Sequence, residues 1–360
     1  MRATAPHRPE RGRRAHGAWR TIALPLSVLA ATALVLAGCG DDDEAASGPP
    51  ATEAADPTTT TTGPAPGCAP GATVPAPGTE RVELVAGGEE RWYDRVVPSG
   101  YDGAPTPLVV DLHGYLSGAE TQAAISGWGA LAEQEGFVVA TPQGNGELPY
   151  WNAVPHDDLP DDVAFVAAVV DDVAALVCVD PDRVYVDGFS NGAFLASLVA
   201  CELADRVAAV GAVAGLLVPE GCAPARPVPV LAIHGTADRY VPVDGGRGPA
   251  LDTLEWDADS TRAFEGLAFA DVTATAARWA ELDGCDAEPT TTAVSPAVTA
   301  VTYGGCDDGA AVELDLVEGG GHTWPASAFS HASEAILGPT TDDIDATTRL
   351  WSFFEEHPRP

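Results

Sequence analysis

The chain has 360 residues, with 53 Asp and Glu against 18 basic residues, all of them arginine, and a formal net charge of −35. So acidic a surface repels nucleic acid and anionic lipid headgroups, which argues against either as a partner, and it suits a well-solvated protein. At this length, with 46% hydrophobic residues, there is enough apolar material for a full α/β core.

The first residues read as an export signal. Arg2, Arg8, Arg11, Arg13, Arg14 and Arg20 stand against one acid, Glu10, and an apolar run follows over 22–36. A basic segment, an apolar segment and then small residues is the pattern of an exported precursor. The run is shorter than the about 20 residues a bilayer span needs. It ends in Leu36-Ala37-Gly38-Cys39, which resembles the bacterial lipobox. That resemblance implies removal of 1–38, lipidation of Cys39, and a membrane anchor facing away from the cytoplasm. Residues 39–79 begin with Asp41-Asp42-Asp43-Glu44 and continue rich in Pro, Thr, Ala and Gly. They hold too few large apolar residues for a core and are expected to be a disordered tether. The folded domain is then expected over 80–360.

Within it, β-runs at 81–86 and 91–97 flank Gly87-Gly88, a hairpin signal. The nearly continuous apolar run 108–112 reads as a buried parallel strand and ends in His113-Gly114-Tyr115. Helix-like sequence runs on to 135, then a strand over 137–141. A loop over 142–160 contains Tyr150-Trp151-Asn152. An amphipathic helix is expected over 161–177, with Asp161 and Asp162 at the end where acids suit the helix dipole.

Next comes the strand 184–186, the turn Gly188-Phe189-Ser190-Asn191-Gly192, and a helix-compatible run over 193–198. Strand, G-x-S-x-G, helix is the nucleophile elbow of an α/β-hydrolase. Ser190 must stand at the tip of a very tight turn, where side chains at 188 and 192 would strike the neighbouring strand and helix. The helix that follows aims its free N–H groups and positive dipole end at the serine. The Asn191 N–H then supplies half of an oxyanion hole. Strands at 208–213, 228–234 and 312–317 and helices at 265–282 and 342–357 complete the chain. Strands alternating with helices imply a mostly parallel central sheet covered on both faces, the α/β-hydrolase fold.

Ligands of such sheets sit beyond the carboxyl ends of the strands, which directs attention to the residues just after each strand. The strand 228–234 is followed by Gly235-Thr236-Ala237-Asp238, and the strand 312–317 by Gly319-Gly320-Gly321-His322. Ser190, Asp238 and His322 therefore occur in the order serine, acid, histidine. A serine hydroxyl is a poor nucleophile until a base takes its proton, the role of His322; Asp238 would hold the imidazole tautomer and stabilise the imidazolium. Asp244 is the nearest alternative acid, and Asp187 reads as structural. His234 reads as a buried histidine holding its loop. His113 reads as shaping the oxyanion loop at the pocket, with the Tyr115 N–H, or that of a neighbour, as the second oxyanion donor. Trp324 is expected to line the substrate pocket, and Trp151 to line it or pack in the core.

At these motifs the chain resembles the family of polyhydroxybutyrate depolymerases and feruloyl or acetylxylan esterases. The matching stretches are Leu112-His113-Gly114, Pro-Gln-Gly-Asn-Gly at 142–146, Trp151-Asn152, Asp-Pro-Asp-Arg-Val-Tyr-Val at 180–186, Gly-Phe-Ser-Asn-Gly at 188–192, His-Gly-Thr-Ala-Asp at 234–238 and Gly-Gly-Gly-His-Thr-Trp-Pro at 319–325. The resemblance covers about 80–357 and implies a secreted carboxylester hydrolase with no cofactor and no metal. The acidic segment 247–261 departs from it, as a surface excursion or a partial lid, and so does the lack of a separate polymer-binding module. Without Cys39 six cysteines remain, an even number that suggests three disulfides in an exported chain, without the short C-x-x-C pairs of a zinc site. With the resemblance, parity and spacing suggest Cys285–Cys306; Cys201–Cys222 and, by elimination, Cys68–Cys178 complete the expected set. The reading is a membrane-tethered serine esterase acting on a small or oligomeric ester through an acyl-Ser190 intermediate. An acyltransferase on the same scaffold, a serine peptidase, and a non-catalytic surface-binding lipoprotein are the alternatives. The intact Ser190, Asp238 and His322 argue against the last.

Overall fold

Six parallel strands form the centre of a ten-stranded sheet. The computed structural model describes residues 65–360, Ala268 excepted; the export signal, Cys39 and the tether up to residue 64 lie outside the described residues. The strands are β1 (Gly78–Ala86), β2 (Glu89–Val97), β3 (Thr106–Leu112), β4 (Val138–Pro142), β5 (Val179–Phe189), β6 (Ala209–Val213), β7 (Val230–Gly235), β8 (Thr290–Ala293), β9 (Val298–Tyr303) and β10 (Val312–Val317). Their order is β1-β2-β4-β3-β5-β6-β7-β10-β9-β8. From β4 to β10 every pairing is parallel, and the outer hairpins β1–β2 and β8–β9 join antiparallel.

Both faces of the parallel centre are covered, which is why β3 is buried at every position and reads as a continuous apolar run. Val110 and Val186 belong to one core with Phe165, Phe194 and Trp279, which come from α3 (Asp162–Leu176), α4 (Asn191–Glu202) and α6 (Val272–Leu282). Val109 and Tyr185, one residue out of phase, belong to the other with Trp128, Trp351 and Phe354. There Phe354 stacks on Tyr185 at 4.7 Å and Trp351 on Phe137 at 4.0 Å. Each such ring is worth about 1.5–3 kcal/mol by removal from water.

Several expected elements take another form. The helical stretch before residue 135 splits into α1 (Ala119–Ser126) and α2 (Trp128–Glu135), because Gly127 adopts φ 69° and ends the first helix. The helix expected over 265–282 starts only at Val272, where the Asp271 carboxylate caps it by accepting from the Ala274 N–H at 2.7 Å. Ahead of it stands the short α5 (Ala258–Ala263). The stretch between Cys285 and Cys306, where the sequence reading placed no strand, contains the β8–β9 hairpin, which extends the sheet past β10. Two short helices, α7 (Ala328–Ala332) and α8 (Glu334–Leu337), precede the closing α9 (Ala346–Glu356).

Disulfides join Cys68–Cys178, Cys201–Cys222 and Cys285–Cys306. The first moves the start of the folded region ahead of residue 80. It ties a short 3-10 turn, Pro66–Cys68, to the end of α3, and Gly67 lies so close that a β-carbon on it would fall 2.2 Å from the Val177 carbonyl oxygen.

Candidate active site

The turn from β5 into α4 places Ser190 at φ 56°, ψ −116°, a left-handed conformation that costs a non-glycine residue about 1–3 kcal/mol. Its neighbours explain how the turn is held. The Ser190 N–H donates to the Val213 carbonyl at 2.9 Å. A β-carbon on Gly188 would lie 2.4 Å from the Gly192 carbonyl, and one on Gly192 would lie 2.2 Å from the Leu112 carbonyl oxygen. Neither position accepts a side chain, as the sequence argument requires.

Beyond the ends of β7 and β10, Asp238 and His322 meet: His322 Nδ1 lies 2.7 Å from Asp238 Oδ2. The other carboxylate oxygen accepts from the N–H groups of Tyr240 and Val241 at 2.7 and 2.9 Å. Burial pushes the Asp238 carboxyl up, but the neighbouring His322 and these hydrogen bonds outweigh it and hold the group below the usual carboxylate range. An ionised Asp238 fixes the proton on His322 Nδ1 and leaves Nε2 as the free base. Asp244, the alternative acid, is exposed. Ser190 and His322 line one cavity. Among the described residues no hydrogen bond joins their reactive atoms, a contact that in enzymes without substrate is often long.

His113 cannot serve as a rival base. Its Nε2 accepts from the Gly144 N–H at 2.8 Å, so the proton sits on Nδ1, which donates to the Gly114 carbonyl at 2.8 Å. Burial lowers its pKa to about 4, so the ring is neutral. His234 is likewise engaged, its Nε2–H donating to the Val241 carbonyl at 2.9 Å.

The N–H groups of Asn191 and Tyr115 donate to no group among the described residues. Asn191 opens α4, and Tyr115 lines the cavity. The Asn191 side chain has a task that sequence reasoning missed. Its Oδ1 accepts from the Trp151 N–H at 2.7 Å, and the Trp151 indole donates to the His113 carbonyl at 2.7 Å. Next to it, the Asn152 N–H donates to Asp162 at 2.8 Å, and Asp162 is paired with Arg91 at 2.9 Å. This buried network ties the loop over 142–160 to both halves of the expected oxyanion hole. Asp162 thus faces inward, and Asp161 alone caps α3.

The cavity holds about 220 Å³ beside Ser190. Its walls are apolar, with Phe189, Phe194, Tyr240, Leu254, Trp256 and Phe264, and no Asp, Glu or Arg among the described residues lines it. Three expected pocket residues are not on its surface. Trp151 and His113 are fully buried beneath the oxyanion loop. Trp324 points the other way, its indole N–H donating to Thr347 Oγ1 at 3.0 Å. It belongs to the core cluster that holds Ile344, Ala346 and Trp351, and its backbone N–H donates to Ser330 Oγ at 2.9 Å. The stretch 247–261 supplies a wall instead of a surface excursion. Tyr115 stacks on Trp256 at 4.7 Å, and its hydroxyl donates to the Glu255 carbonyl at 2.5 Å.

Below the elbow lies a second cluster. Asp111 on β3 and Asp187 on β5 are register partners, both fully buried. Asp111 accepts from Gln122 Nε2 and Ser126 Oγ, each at 2.6 Å, and Asp187 from the Trp128 indole at 3.0 Å. Burial pushes Asp111 up to about 7; burial and the adjacent Asp111 push Asp187 well above the usual range.

A family model described as esterase PHB depolymerase matches residues 92–244. NocK of Nocardia uniformis subsp. tsuyamanensis, which carries an esterase name, is 34% identical over 75% of this chain and 81% of its own length. Feruloyl esterase B of Piromyces equi is 30% identical over 62% of this chain, which spans only 41% of that protein. Poly(3-hydroxyalkanoate) depolymerase C of Paucimonas lemoignei is 37% identical over 33% of this chain and 30% of its own length. Among solved structures, an acetyl xylan esterase from Aspergillus awamori superposes with a TM-score of 0.51 at 16% identity, covering 72% of this chain and 99% of that one. That likeness bears on the fold, which is of the α/β-hydrolase type.

Proposed function

The chain belongs to the esterase PHB depolymerase family, and from that premise we propose that it is an exported serine carboxylester hydrolase working through an acyl-Ser190 intermediate. One observation carries the reading: a serine in a strained left-handed turn shares a cavity with a histidine whose Nδ1 is held 2.7 Å from a buried, ionised aspartate. His322 Nε2 takes the hydroxyl proton as Ser190 Oγ attacks the ester carbonyl. The oxyanion forms against the N–H groups of Asn191 and Tyr115 at the positive end of α4. The imidazolium then protonates the departing alcohol. Water, deprotonated by the same nitrogen, cleaves the acyl-enzyme and releases the acid.

The apolar, uncharged cavity favours an ester whose acyl part is apolar, consistent with the aromatic and hydroxyalkanoate esters named for the relatives. Three disulfides fit an oxidising compartment. With the export signal they support a secreted enzyme, held at the membrane by a lipid on Cys39 and standing off it on the tether.

Ser190→Ala tests the mechanism. A fluorophosphonate probe labels the wild-type protein at Ser190 and leaves the folded variant unlabelled, and kcat falls by several powers of ten. Near-wild-type turnover by a well-folded Ser190→Ala protein would refute the assignment.

A further inference from the structure

The cavity beside Ser190 is not the only one at this wall. A second cavity of about 280 Å³ lies against Gly246, Arg247 and Leu267. The two share Leu251, Trp256, Phe264 and Phe269. The side chains that close the catalytic cavity are thus the ones that close its neighbour, and only a layer of apolar side chains separates the two. The layer is held from several sides. The Trp256 indole donates to the Leu251 carbonyl at 3.3 Å, Phe264 meets it edge-on at 5.1 Å, and Tyr115 covers its face. The Asp257–Ser260 capping box fixes the start of α5 just behind it.

We propose that this layer, centred on Trp256, is the end wall of the acyl subsite and sets the longest acyl chain the enzyme accepts. The proposal rests on the esterase reading above and adds which residues select the substrate. At about 30 Å³ for each group the size of a water or methylene, the catalytic cavity takes roughly seven heavy atoms. The outer cavity would take roughly nine more. A longer chain must either leave its tail in water or displace Trp256. With the wall removed, the tail enters a second apolar space, and each methylene it buries is worth about fourfold in transition-state binding.

The test is the ratio of kcat/KM for p-nitrophenyl decanoate to that for p-nitrophenyl acetate, taken from an acyl series of rising length. In the wild type, kcat/KM climbs to about six carbons and then falls at least tenfold by decanoate. In Trp256→Ala the decanoate-to-acetate ratio rises at least tenfold. Leu251→Ala thins the same wall without touching Tyr115, and it moves the ratio in the same direction. A wild type whose kcat/KM keeps rising to decanoate overturns the proposal whatever the variants do. So does an unchanged ratio in both variants, or a folded pair that loses all esters alike, since the wall would then serve the chemistry and not the length. A wild type inert toward every ester and toward fluorophosphonate refutes the esterase reading itself, a separate and recognisable outcome.

Discussion

Asp111→Asn should change the sign of its effect on stability with pH. The Asp111 carboxyl is fully buried between β4 and β5 and pushed up to about 7 by that burial, from 3.8 in the unfolded chain. Between those values the native protein holds a proton that the unfolded chain has released. Stability from this group is therefore fully present below pH 3.8 and is lost as pH rises to about 7. The span, at 1.36 kcal/mol per pH unit, amounts to about 4 kcal/mol lost above pH 7. Asparagine never ionises, so it avoids that loss. It does require the Ser126 hydroxyl, now a donor at 2.6 Å, to turn and accept from the new amide, a rearrangement costing about 1 kcal/mol. The variant should be about 0.5 kcal/mol less stable than wild type at pH 4 and about 3 kcal/mol more stable at pH 8, with a crossover near pH 4.5. Urea unfolding of both proteins at intervals from pH 4 to 9 measures the difference curve. Equal destabilisation at pH 4 and pH 8 would show that Asp111 is ionised in the native state and that the buried pair has been misread.

Two further outcomes follow from the cysteines. The Cys285–Cys306 bridge closes a span of 21 residues around the β8–β9 hairpin, so the double Cys→Ser variant should lose about 3 kcal/mol and melt several degrees lower. It should also depress kcat more than it raises KM, because the bridge anchors the approach to β10 and so to His322; unchanged melting and kcat would contradict this. Cys39→Ser should release the protein from the membrane fraction or stall its processing, and a wholly soluble wild-type mature protein starting at another residue would overturn the lipid anchor.

What the sequence made legible was whatever is set within a few residues. The elbow is such a case, because Gly188, Ser190 and Gly192 stand together between a β-run and a helix-compatible run, although the carbonyl that excludes a side chain at Gly192 belongs to Leu112 on β3. So are the positions of Asp238 and His322, since each follows its own strand and the order of the parallel strands brings those ends together. The β8–β9 hairpin escaped notice for a related reason. All four residues of β8 are exposed, so no alternation of apolar and polar residues marks it, and only its pairing with β9 makes it a strand. A tryptophan's role depends on its partners. Trp151 and Trp256 are equally aromatic loop residues, yet the first is locked under the oxyanion loop by Asn191 and the second faces the substrate cavity.

The segment 247–261 shows what was missing. Its acids Asp252, Glu255 and Asp259 are exposed, while Leu251, Leu254 and Trp256 between them line the cavity. Its mean composition is therefore that of a solvated loop, although its inner side is a wall of the cavity beside Ser190. The apolar residues fall at intervals of three and two, too few for a helical or strand period to register. Their partners, Tyr115 and Phe194, lie far back in the chain. Ser190, Asp238 and His322, the proposed catalytic groups, follow the ends of β5, β7 and β10, strands with a paired neighbour on each side in the sheet. The wall of the cavity beside Ser190 comes from a crossing between β7 and α6 that lies outside the sheet and joins the core through Ala250 and Leu251. Changes in that crossing can therefore alter which ester is taken while leaving the geometry of Ser190, Asp238 and His322 as the sheet sets it.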